Sequence, residues 1–413
     1  MFLLTYNMNV LSDSALNQCT GCQLCAAVCH KNAITIAPDV EGFYRPSIDP
    51  SLCVDCGLCT KICYKFDENI EPFGIDKLRT TTLYGASAKQ RDIVENTTSG
   101  GVADLLAQEL IHEGYRVVGV VYDSSDDCAK DFVASTVEES VAFRGSKYIQ
   151  SYTLDAFKTV VKNCRQEKFA VFGTPCHIYA LDRYLRLLKV RDNFILIDLY
   201  CHGCPSIHVW KKYVKGIKKS IGRSIIDNAN FRSKVKGWGS SYILEVDVDG
   251  HPVFYSDSKN NEFFELFFSD QVLNEACHDC SLRGTLAYTD IRLGDFWGKQ
   301  YVLNNKGVSA VSLVSETAKQ LFERIADRVH YREEKYEDFL PWQSWGKQHK
   351  PNPELRRLLL QQLSDDNVSL RESVDTIYRQ QSLKRRLIRQ AKKLIRQMPI
   401  SWEKRIKWLF YKL

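Results

Sequence analysis

The sequence CTGCQLCAAVC at residues 19–29 and the sequence CVDCGLCTKIC at residues 53–63 repeat one arrangement of four cysteines. Both read C-x2-C-x2-C-x3-C, which is the ligand spacing of two 4Fe-4S clusters. Three thiolates so close in sequence enclose one face of a cubane only where the chain turns tightly, and Gly21 and Gly57 lie inside the two turns. The eight cysteines therefore predict a small two-cluster ferredoxin module at residues 1–66.

The last cysteine of each run is expected to bind the other cluster, as in two-cluster ferredoxins. The predicted ligand sets are Cys19, Cys22, Cys25 and Cys63 for one cluster, and Cys53, Cys56, Cys59 and Cys29 for the other. One departure is that His30 and Tyr64 follow the runs where bacterial ferredoxins usually have proline. Zinc is the alternative metal, but a zinc site takes four ligands and would leave half of each run unexplained.

The chain is far longer than a ferredoxin alone. Its 413 residues, 44% hydrophobic and 26% charged, predict a soluble globular protein with one or two larger domains behind the cluster module. No apolar run approaches the ~18 residues of a membrane-spanning helix, and the first ten residues lack the features of a secretion signal. Fifteen cysteines, grouped as CxxC, are typical of a reducing compartment. We therefore expect a cytoplasmic protein.

Beyond the module, residues 67–80 have the acids, proline and glycine of a linker, and the pattern then changes to alternating strands and helices. Strands are predicted at 115–122, 170–172, 194–200, 242–248 and 253–255, and helices after residue 101, at 154–166 and at 178–188. This order predicts an α/β core, α+β when the whole chain is counted, with a largely parallel sheet at 81–230. A strand-rich part at 231–345 and a helical tail at 346–413 are expected to follow.

Three further cysteine groups lie at predicted strand ends or in loops. Cys176 opens a helix in the sequence GTPC, where the positive helix end favours a thiolate. Cys201 and Cys204 belong to CHGCPS after an apolar strand, and Cys277 and Cys280 form a CxxC pair. A buried, inert cysteine is the alternative for each of them. The spacing favours metal binding by the CxxC pair, leaves both interpretations open for Cys176 and Cys201, and favours the inert one for Cys204.

Polar loops offer groups that bind phosphate. Four residues precede a predicted helix, with free N–H groups and two glycines, and they are Thr98, Ser99, Gly100 and Gly101. A simple N-cap is the alternative. Arg144, Ser146 and Lys147 form a second loop that could meet the same anion, or a solvated turn. Asp295, in the sequence GDFWG, ends an apolar strand beside two aromatic residues, which suits a planar cofactor or a plain core corner.

Taken together, these motifs resemble the beta subunit family of coenzyme F420 hydrogenases and dehydrogenases. The matching stretches occur in the family's order between Leu83 and Ser315, and they are TSGG at 98–101, GSKY at 145–148, GTPCH at 173–177, CHGCPS at 201–206, FRSK at 231–234 with Gly237 and Trp238, the CxxC pair at 277–280 and DIRLGDFW at 290–297. The family also includes chlorophyll-pathway reductases, so membership leaves the substrate open.

The resemblance implies two further cofactors in the core. FAD is expected there, its pyrophosphate near Ser99–Gly101 and Ser146–Lys147, with Thr98, Arg144, Thr174 and Asp295 as further cofactor-binding residues. A third 4Fe-4S cluster is expected on Cys176, Cys201, Cys277 and Cys280. Members often have valine where this chain has Cys204, so this extra thiol could replace one of the four ligands.

The expected function follows from what these cofactors do. Clusters pass single electrons, whereas a flavin collects two and delivers a hydride equivalent. We expect electrons from a ferredoxin or another one-electron donor to reach FAD, which reduces, or in reverse oxidises, a small organic substrate. His177 and His202 each follow a motif cysteine and are candidate proton donors, with hydrogen bonding to cluster sulfur as the other role. An electron relay to a partner enzyme, and a core that binds metal without flavin, are the competing classes.

The tail carries most of the positive charge. Residues 379–413 contain twelve Lys or Arg and one acid, in a chain of net charge +6. Its apolar residues fall on two helical stripes, Leu383, Leu387, Ala391, Leu394 and Met398, then Trp402, Ile406, Leu409 and Phe410. A basic amphipathic helix of this kind can lie on an anionic membrane surface, which here would be the inner face of the membrane. The alternative is that it docks on the rest of its own protein. The membrane interpretation favours a lipid-linked substrate, and no nucleic-acid partner is expected because no recognition motif accompanies the charges.

Overall fold

The computed structural model describes residues 9–12, 15–239, 242–256, 261–381 and scattered positions between 386 and 409. Within these residues the strands are β1 (Ile34–Pro38), β2 (Tyr44–Ile48), β3 (Thr82–Ala88), β4 (Arg116–Asp123), β5 (Cys128–Ala134), β6 (Ser151–Tyr152), β7 (Phe169–Phe172), β8 (Phe194–Leu199), β9 (Asn228–Asn230), β10 (Glu245–Val248), β11 (His251–Tyr255), β12 (Ile291–Asp295), β13 (Ser309–Leu313) and β14 (Val329–Glu333). The helices are α1 (Leu24–Ala27), α2 (Leu58–Lys61), α3 (Ile75–Thr80), α4 (Arg91–Asn96), α5 (Val102–His112), α6 (Val137–Ser140), α7 (Leu154–Asn163), α8 (Pro175–Leu188), α9 (Ile207–Ile221), α10 (Glu262–Phe267), α11 (Glu316–Ile325), α12 (Tyr336–Phe339), α13 (Pro353–Ser364) and α14 (Leu370–Arg379). The predicted α/β class is confirmed.

The N-terminal module consists of two single-turn helices, α1 and α2, and the antiparallel hairpin of β1 and β2. Gly21 (φ 75°) and Gly57 (φ 70°) both have left-handed backbone conformations, as the tight turns require. The turns bring Leu24 and Ile62 into a buried apolar cluster. The cysteine runs are therefore wrapped around a small core rather than exposed as loops.

A nine-stranded sheet in the order β14-β3-β13-β12-β8-β7-β4-β5-β6 organises the core. The pairs β12–β8, β8–β7, β7–β4 and β5–β6 are parallel, whereas β14–β3, β3–β13, β13–β12 and β4–β5 are antiparallel. Among the strands of residues 81–230, three of the four pairs are parallel, as predicted, whereas the whole sheet is mixed because β13 and β14 add antiparallel pairs. The reason is local, because β4 connects to β5, and β12 to β13, through segments without the crossover helix that a parallel pair needs.

The central strands are buried on both faces, which explains their continuous apolar sequences. Val117, Ala170 and Ile195 face a layer that includes α5 and α11. Their neighbours Val118, Val171 and Leu196 face α7, α8 and the cluster module. The module is thus packed on the sheet face that also carries α8, the helix that begins with Pro175 and Cys176.

A smaller antiparallel sheet, β11-β10-β9, packs with α9, α10, α13 and α14 in a second core. Residues 67–80, predicted as a linker, contain α3, and Asp67 accepts a hydrogen bond from the Tyr179 hydroxyl of α8. None of the helices in the described part of the chain is long and apolar enough to cross a membrane. Of the predicted amphipathic stripes, Leu383 and Phe410 lie outside the described residues, whereas the other seven members are described.

Candidate metal centres and cofactor site

The eight cysteines of the module line two adjacent cavities. The first is lined by Cys19, Cys22, Cys25, Cys59 and Cys63. The second is lined by Cys29, Cys53, Cys56 and Cys59. Cys63 lies in the cavity of the first cysteine run, and Cys29 lies in the cavity of the second run. This is the arrangement that the exchanged ligand sets predict. Cys59 borders both cavities, so the two centres would be immediate neighbours.

Burial and mutual repulsion favour the neutral form of three thiols in the first cavity, those of Cys22, Cys25 and Cys63. Burial, and after it the neighbouring Cys63, raises the pKa of Cys22 to about 12. Burial also raises the pKa of Cys63 to about 12 and that of Cys25 well above its usual value. Thiolates cannot accumulate in such a site without a compensating cation, and the iron of a cluster supplies one. The donors and the cavity together fit a 4Fe-4S cluster.

Five cysteines of the core gather where β7 and β8 end. Cys176 lies in the first turn of α8, and Cys201 and Cys204 follow β8. The pKa of the Cys277 thiol is raised by burial and then by Cys201 and Cys280. The backbone N–H of Cys204 donates to Cys277 Sγ across 3.4 Å, and burial followed by Cys277 raises the Cys204 pKa. The structure therefore brings the four predicted ligands together and places Cys204 with them.

The first cavity and the core cysteines meet at Cys176. This residue lines the cavity beside Cys22. Burial raises the pKa of Cys176, and both Cys22 of the module and Cys280 of the core raise it further. Thr174, predicted as a cofactor contact, has its Oγ1 3.2 Å from Cys176 Sγ, so it lies with these thiols.

Two arginines next to the core cysteines were missed in the sequence. Arg283 donates from Nη2 to the carbonyl oxygens of His202, at 3.0 Å, and Cys277, at 2.6 Å. Arg292 also lies close, and both guanidinium groups oppose the burial that raises the pKa of Cys201 to about 11. A cation in the middle of an apolar strand was the available signal for Arg292, since such a residue is rarely buried without a partner.

The two candidate proton donors have different surroundings. His177 is buried against the Phe157 ring, with ring centroids 6.0 Å apart, and burial lowers its pKa to about 4. Its imidazole is therefore neutral at neutral pH. His202 has Nε2 2.8 Å from Asp270 Oδ1 and Nδ1 3.2 Å from Ser344 Oγ. Their roles in proton transfer stay predictions.

Asp295 is the centre of a buried hydrogen-bond network at the end of β12. Its Oδ1 accepts from Ser99 Oγ at 2.6 Å and from Trp238 Nε1 at 2.9 Å, and its Oδ2 accepts from Arg232 Nη1 at 2.8 Å. The Arg232 guanidinium also lies 5.3 Å from the centre of the Trp297 ring, which stacks on Trp238 at 4.8 Å. Asp295 therefore orients its neighbours, because both of its oxygens are already engaged by protein groups.

The two predicted phosphate loops lie together. The Ser146 N–H donates to Thr98 Oγ1 across 2.7 Å. Gly101 (φ 81°) precedes α5, and a Cβ on Gly100 would lie 2.2 Å from the Ala86 carbonyl oxygen, so this close packing on β3 requires glycine. Arg144 is engaged by Asp104 at 3.0 Å and Asp92 at 3.1 Å and so braces the first turn of α5.

Lys147 is a partly buried cation beside these loops. Its Nζ contacts the carbonyl oxygens of Arg144, at 2.9 Å, and Ala142, at 3.1 Å. Burial lowers the pKa of this ammonium to about 7, and no carboxylate among the described residues pairs with it. Lys234 is similar, with Nζ 2.6 Å from the Ser99 carbonyl oxygen and a pKa that burial lowers to about 8. Two such cations fit a bound phosphate group.

Comparison with known proteins gives the family. Residues 83–158 and 166–338 match the N-terminal and C-terminal parts of the coenzyme F420 hydrogenase/dehydrogenase beta subunit, and residues 18–65 match a 4Fe-4S dicluster domain. The chain belongs to the coenzyme F420 hydrogenase/dehydrogenase beta subunit family. The predicted family is therefore confirmed, as is the iron–sulfur interpretation of the N-terminal module. The individual ligand sets of this family member stay predictions.

One curated protein and one chain of a solved structure are similar to this beta-subunit family member. Coenzyme F420 hydrogenase subunit beta of Methanococcus voltae is 24% identical over 257 residues, which is 59% of this chain and 83% of that protein. A chain in the xenon-derivatised F420-reducing [NiFe] hydrogenase complex from Methanosarcina barkeri aligns with a TM-score of 0.44 and 17% identity, over 75% of this chain and 91% of that chain.

Proposed function

We propose that this chain is an iron–sulfur flavoprotein oxidoreductase. Single electrons would pass through its 4Fe-4S clusters to FAD, and an organic substrate or a deazaflavin coenzyme would be reduced there or, in reverse, oxidised. The observation that carries the proposal is the continuity of the cysteine sites. The two module cavities share Cys59, and the first of them is bordered by Cys176 of the core.

A third 4Fe-4S cluster on Cys176, Cys201, Cys277 and Cys280 would extend this series into the core. The electrostatic coupling of Cys176 to both Cys22 and Cys280 supports it, because only close thiols perturb one another in this way. Cys204 offers a fifth thiol at the same place. Arg283 adds positive charge beside the site, which would offset part of the negative charge of four thiolates.

The candidate FAD site lies further along the same edge of the sheet. Cys176 and Cys201 follow β7 and β8, while Asp295 ends β12, and these three parallel strands are neighbours. Ligands bind preferentially at the carboxyl ends of such strands. The core cysteines and the Asp295 network are therefore brought close to each other by the topology.

The phosphate loops supply the groups that would hold FAD. Ser146, Lys147 and the start of α5 would bind its pyrophosphate, while Asp295 orients Ser99 and Arg232 beside it. Bound FAD would accept electrons one at a time and exchange two together, with a proton, with the substrate. The protein's part is to position the two partners and to exclude water from between them.

A relay role is the second candidate function. The relatives are named as hydrogenase subunits, and in such an assembly this chain would pass electrons to or from a partner protein. The tail supports a further contact, with the inner face of a membrane, because Leu387, Leu394, Met398, Trp402 and Leu409 are all exposed. A lipid-linked substrate would suit that placement. If deletion of residues 379–413 left liposome binding unchanged, the proposed membrane contact would be ruled out.

Anaerobic purification followed by iron, sulfide and flavin assays tests the main proposal. About eight irons per chain would indicate two clusters and about twelve would indicate three. We expect about twelve irons and one FAD, with the flavin spectrum bleached by a cluster reductant. A full iron content without FAD would contradict the proposed reductase function and would leave the electron-relay role as the remaining candidate. Colourless protein containing only zinc would overturn both.

A further inference from the structure

Two histidines and an aspartate converge from three separate loops beside the core cysteines. His202 follows β8, Asp270 follows α10, and His349 precedes α13. His202 Nε2 is 2.8 Å from Asp270 Oδ1, and His349 Nδ1 is 3.0 Å from Asp270 Oδ2. One donor atom from each residue lies within 4.8 Å of the other two. That spacing is short enough for one small cation to contact all three.

The contacts of His349 fix which of its ring nitrogens faces the Asp270 carboxylate. Its Nε2 lies 2.9 Å from the carbonyl oxygen of His202, and because a carbonyl only accepts, Nε2 must carry the proton. Nδ1 is then the ring atom that faces the Asp270 carboxylate, 3.0 Å from Oδ2. This Nδ1 is buried and makes no hydrogen bond with any described residue, although the carboxylate oxygen is near. A metal ion bound between Nδ1 and the carboxylate oxygen would satisfy both atoms without the alignment that a hydrogen bond requires.

The outer contacts of both imidazoles also match a metal site. Histidine ligands usually engage the ring nitrogen that faces away from the metal, which fixes the ring orientation. Here His349 Nε2 donates to a carbonyl oxygen, and His202 Nδ1 lies 3.2 Å from Ser344 Oγ. The His202 and Asp270 side chains are 22% and 25% exposed, and that of His349 is fully buried. An ion could therefore reach His202 and Asp270 from solvent and then bind the buried His349 imidazole.

We propose that His202, Asp270 and His349 bind one Zn²⁺ ion, distinct from the iron–sulfur clusters. Two imidazoles and a carboxylate, with a water molecule in the fourth position, form a usual tetrahedral zinc set. The ion would tie the segment before α13 to the loop that carries Cys201. The proposal is independent of whether FAD is bound.

Zinc binding can be measured on the full-length chain with its clusters in place. Anaerobic protein is incubated with Zn²⁺, desalted, and examined by elemental analysis and zinc-edge X-ray absorption. We expect about one zinc per chain, with nitrogen or oxygen neighbours at about 2.0–2.1 Å and no sulfur at about 2.3 Å. Asp270→Asn and His349→Gln should each weaken zinc binding by more than the roughly tenfold to hundredfold that loss of an outer contact costs, because each removes a proposed direct ligand.

His330→Gln is the matched control, since this histidine is exposed on β14, and its zinc affinity should equal that of the wild type. Iron content and cluster absorbance report whether each variant is folded. Zinc with a sulfur shell, or no retained zinc in the wild type, would overturn the proposal even if the variants fail to fold. Unchanged zinc affinity in both folded variants would also overturn it.

Discussion

Arg292 and Asp198 form a buried ion pair across the neighbouring parallel strands β12 and β8. Nε donates to Oδ1 at 2.7 Å and Nη2 to Oδ2 at 2.5 Å, and the two residues are register partners. Their side chains are only 2% and 3% exposed. Arg292 also donates to the carbonyl oxygens of Leu282 and Arg283, just after Cys280. The pair thus joins the sheet to the loop that carries the Cys277–Cys280 motif.

Asp198→Asn should destabilise the protein strongly, because it leaves the Arg292 guanidinium buried without a counterion. We expect the free energy of unfolding to fall by about 3–5 kcal/mol. Denaturant unfolding followed by circular dichroism measures it. Asp192→Asn, an exposed acid before the same strand, should have little effect. A loss no greater than that of the control would contradict the structural importance of the pair.

The exchange of cysteines between the two cavities predicts the iron content of double variants. Cys63→Ser and Cys19→Ser should disturb the same cluster, so combining them should remove no more iron than either alone. Cys63→Ser combined with Cys53→Ser should affect both module clusters and lose about eight irons. Cys164→Ser, a buried thiol in the core, is the control and should lose none. If the ligand sets were not exchanged, the result would reverse, and Cys63→Ser combined with Cys19→Ser would be the double variant that loses about eight irons.

Lys147 predicts that FAD affinity depends on pH. The pKa of about 7 belongs to the protein without FAD, and a bound phosphate should raise it. Affinity should therefore be highest below pH 7 and should fall as pH rises above 7, by at most about tenfold per pH unit for one proton. Flavin fluorescence titrations between pH 6 and 9 would measure this dependence.

Lys147→Met should bind FAD more weakly at pH 6 and should lose the pH dependence attributed to this group. Lys158→Met, an exposed lysine on α7, should behave like the wild type. A Lys147 variant with wild-type affinity throughout the range would remove this residue from the cofactor site.

The raised pKa of Asp131 predicts that the free energy of unfolding also depends on pH. Both of its carboxylate oxygens are buried without a hydrogen-bond partner in the described part of the chain, and burial raises its pKa to about 7. The unfolded carboxyl has a pKa of about 4, so the folded state binds the proton more tightly. The resulting contribution to stability is complete below pH about 4 and is lost as pH rises through about 7.

Asp131→Asn, which stays neutral, should therefore stabilise the protein at pH 8 by on the order of 2 kcal/mol, and by much less at pH 5. Thermal unfolding at the two pH values gives the comparison. Asp126→Asn, in the exposed turn after β4, should change stability little at either pH. An Asp131 variant that is less stable than the wild type at pH 8 would show that the ionised carboxylate is stabilised in the native state.

Much of the core was predictable where the strands are buried on both faces. The segments predicted at 170–172 and 194–200 correspond to β7 and β8. A short run of apolar residues bounded by turns is typical of a strand that is buried on both faces. The antiparallel pairs of β3 with β13 and β14 were not predicted, because strand direction depends on how each connection folds back. Arg232 and Lys234 belonged to a motif, but their partners Asp295 and Ser99 are far away in sequence.

Cysteine spacing by itself determined the iron–sulfur character of the module, because three ligands of one cluster lie within seven residues and need only a local turn. The motif order likewise indicated the family. Only the tertiary structure decided which fourth thiol borders which cavity, and that His202, Asp270 and His349 meet. Asp270 follows His202 by 68 positions in the sequence, and His349 follows it by 147. Such contacts arise when buried faces of the sheets and helices pack together, and a local pattern of residue types carries no information about which distant loops that packing joins.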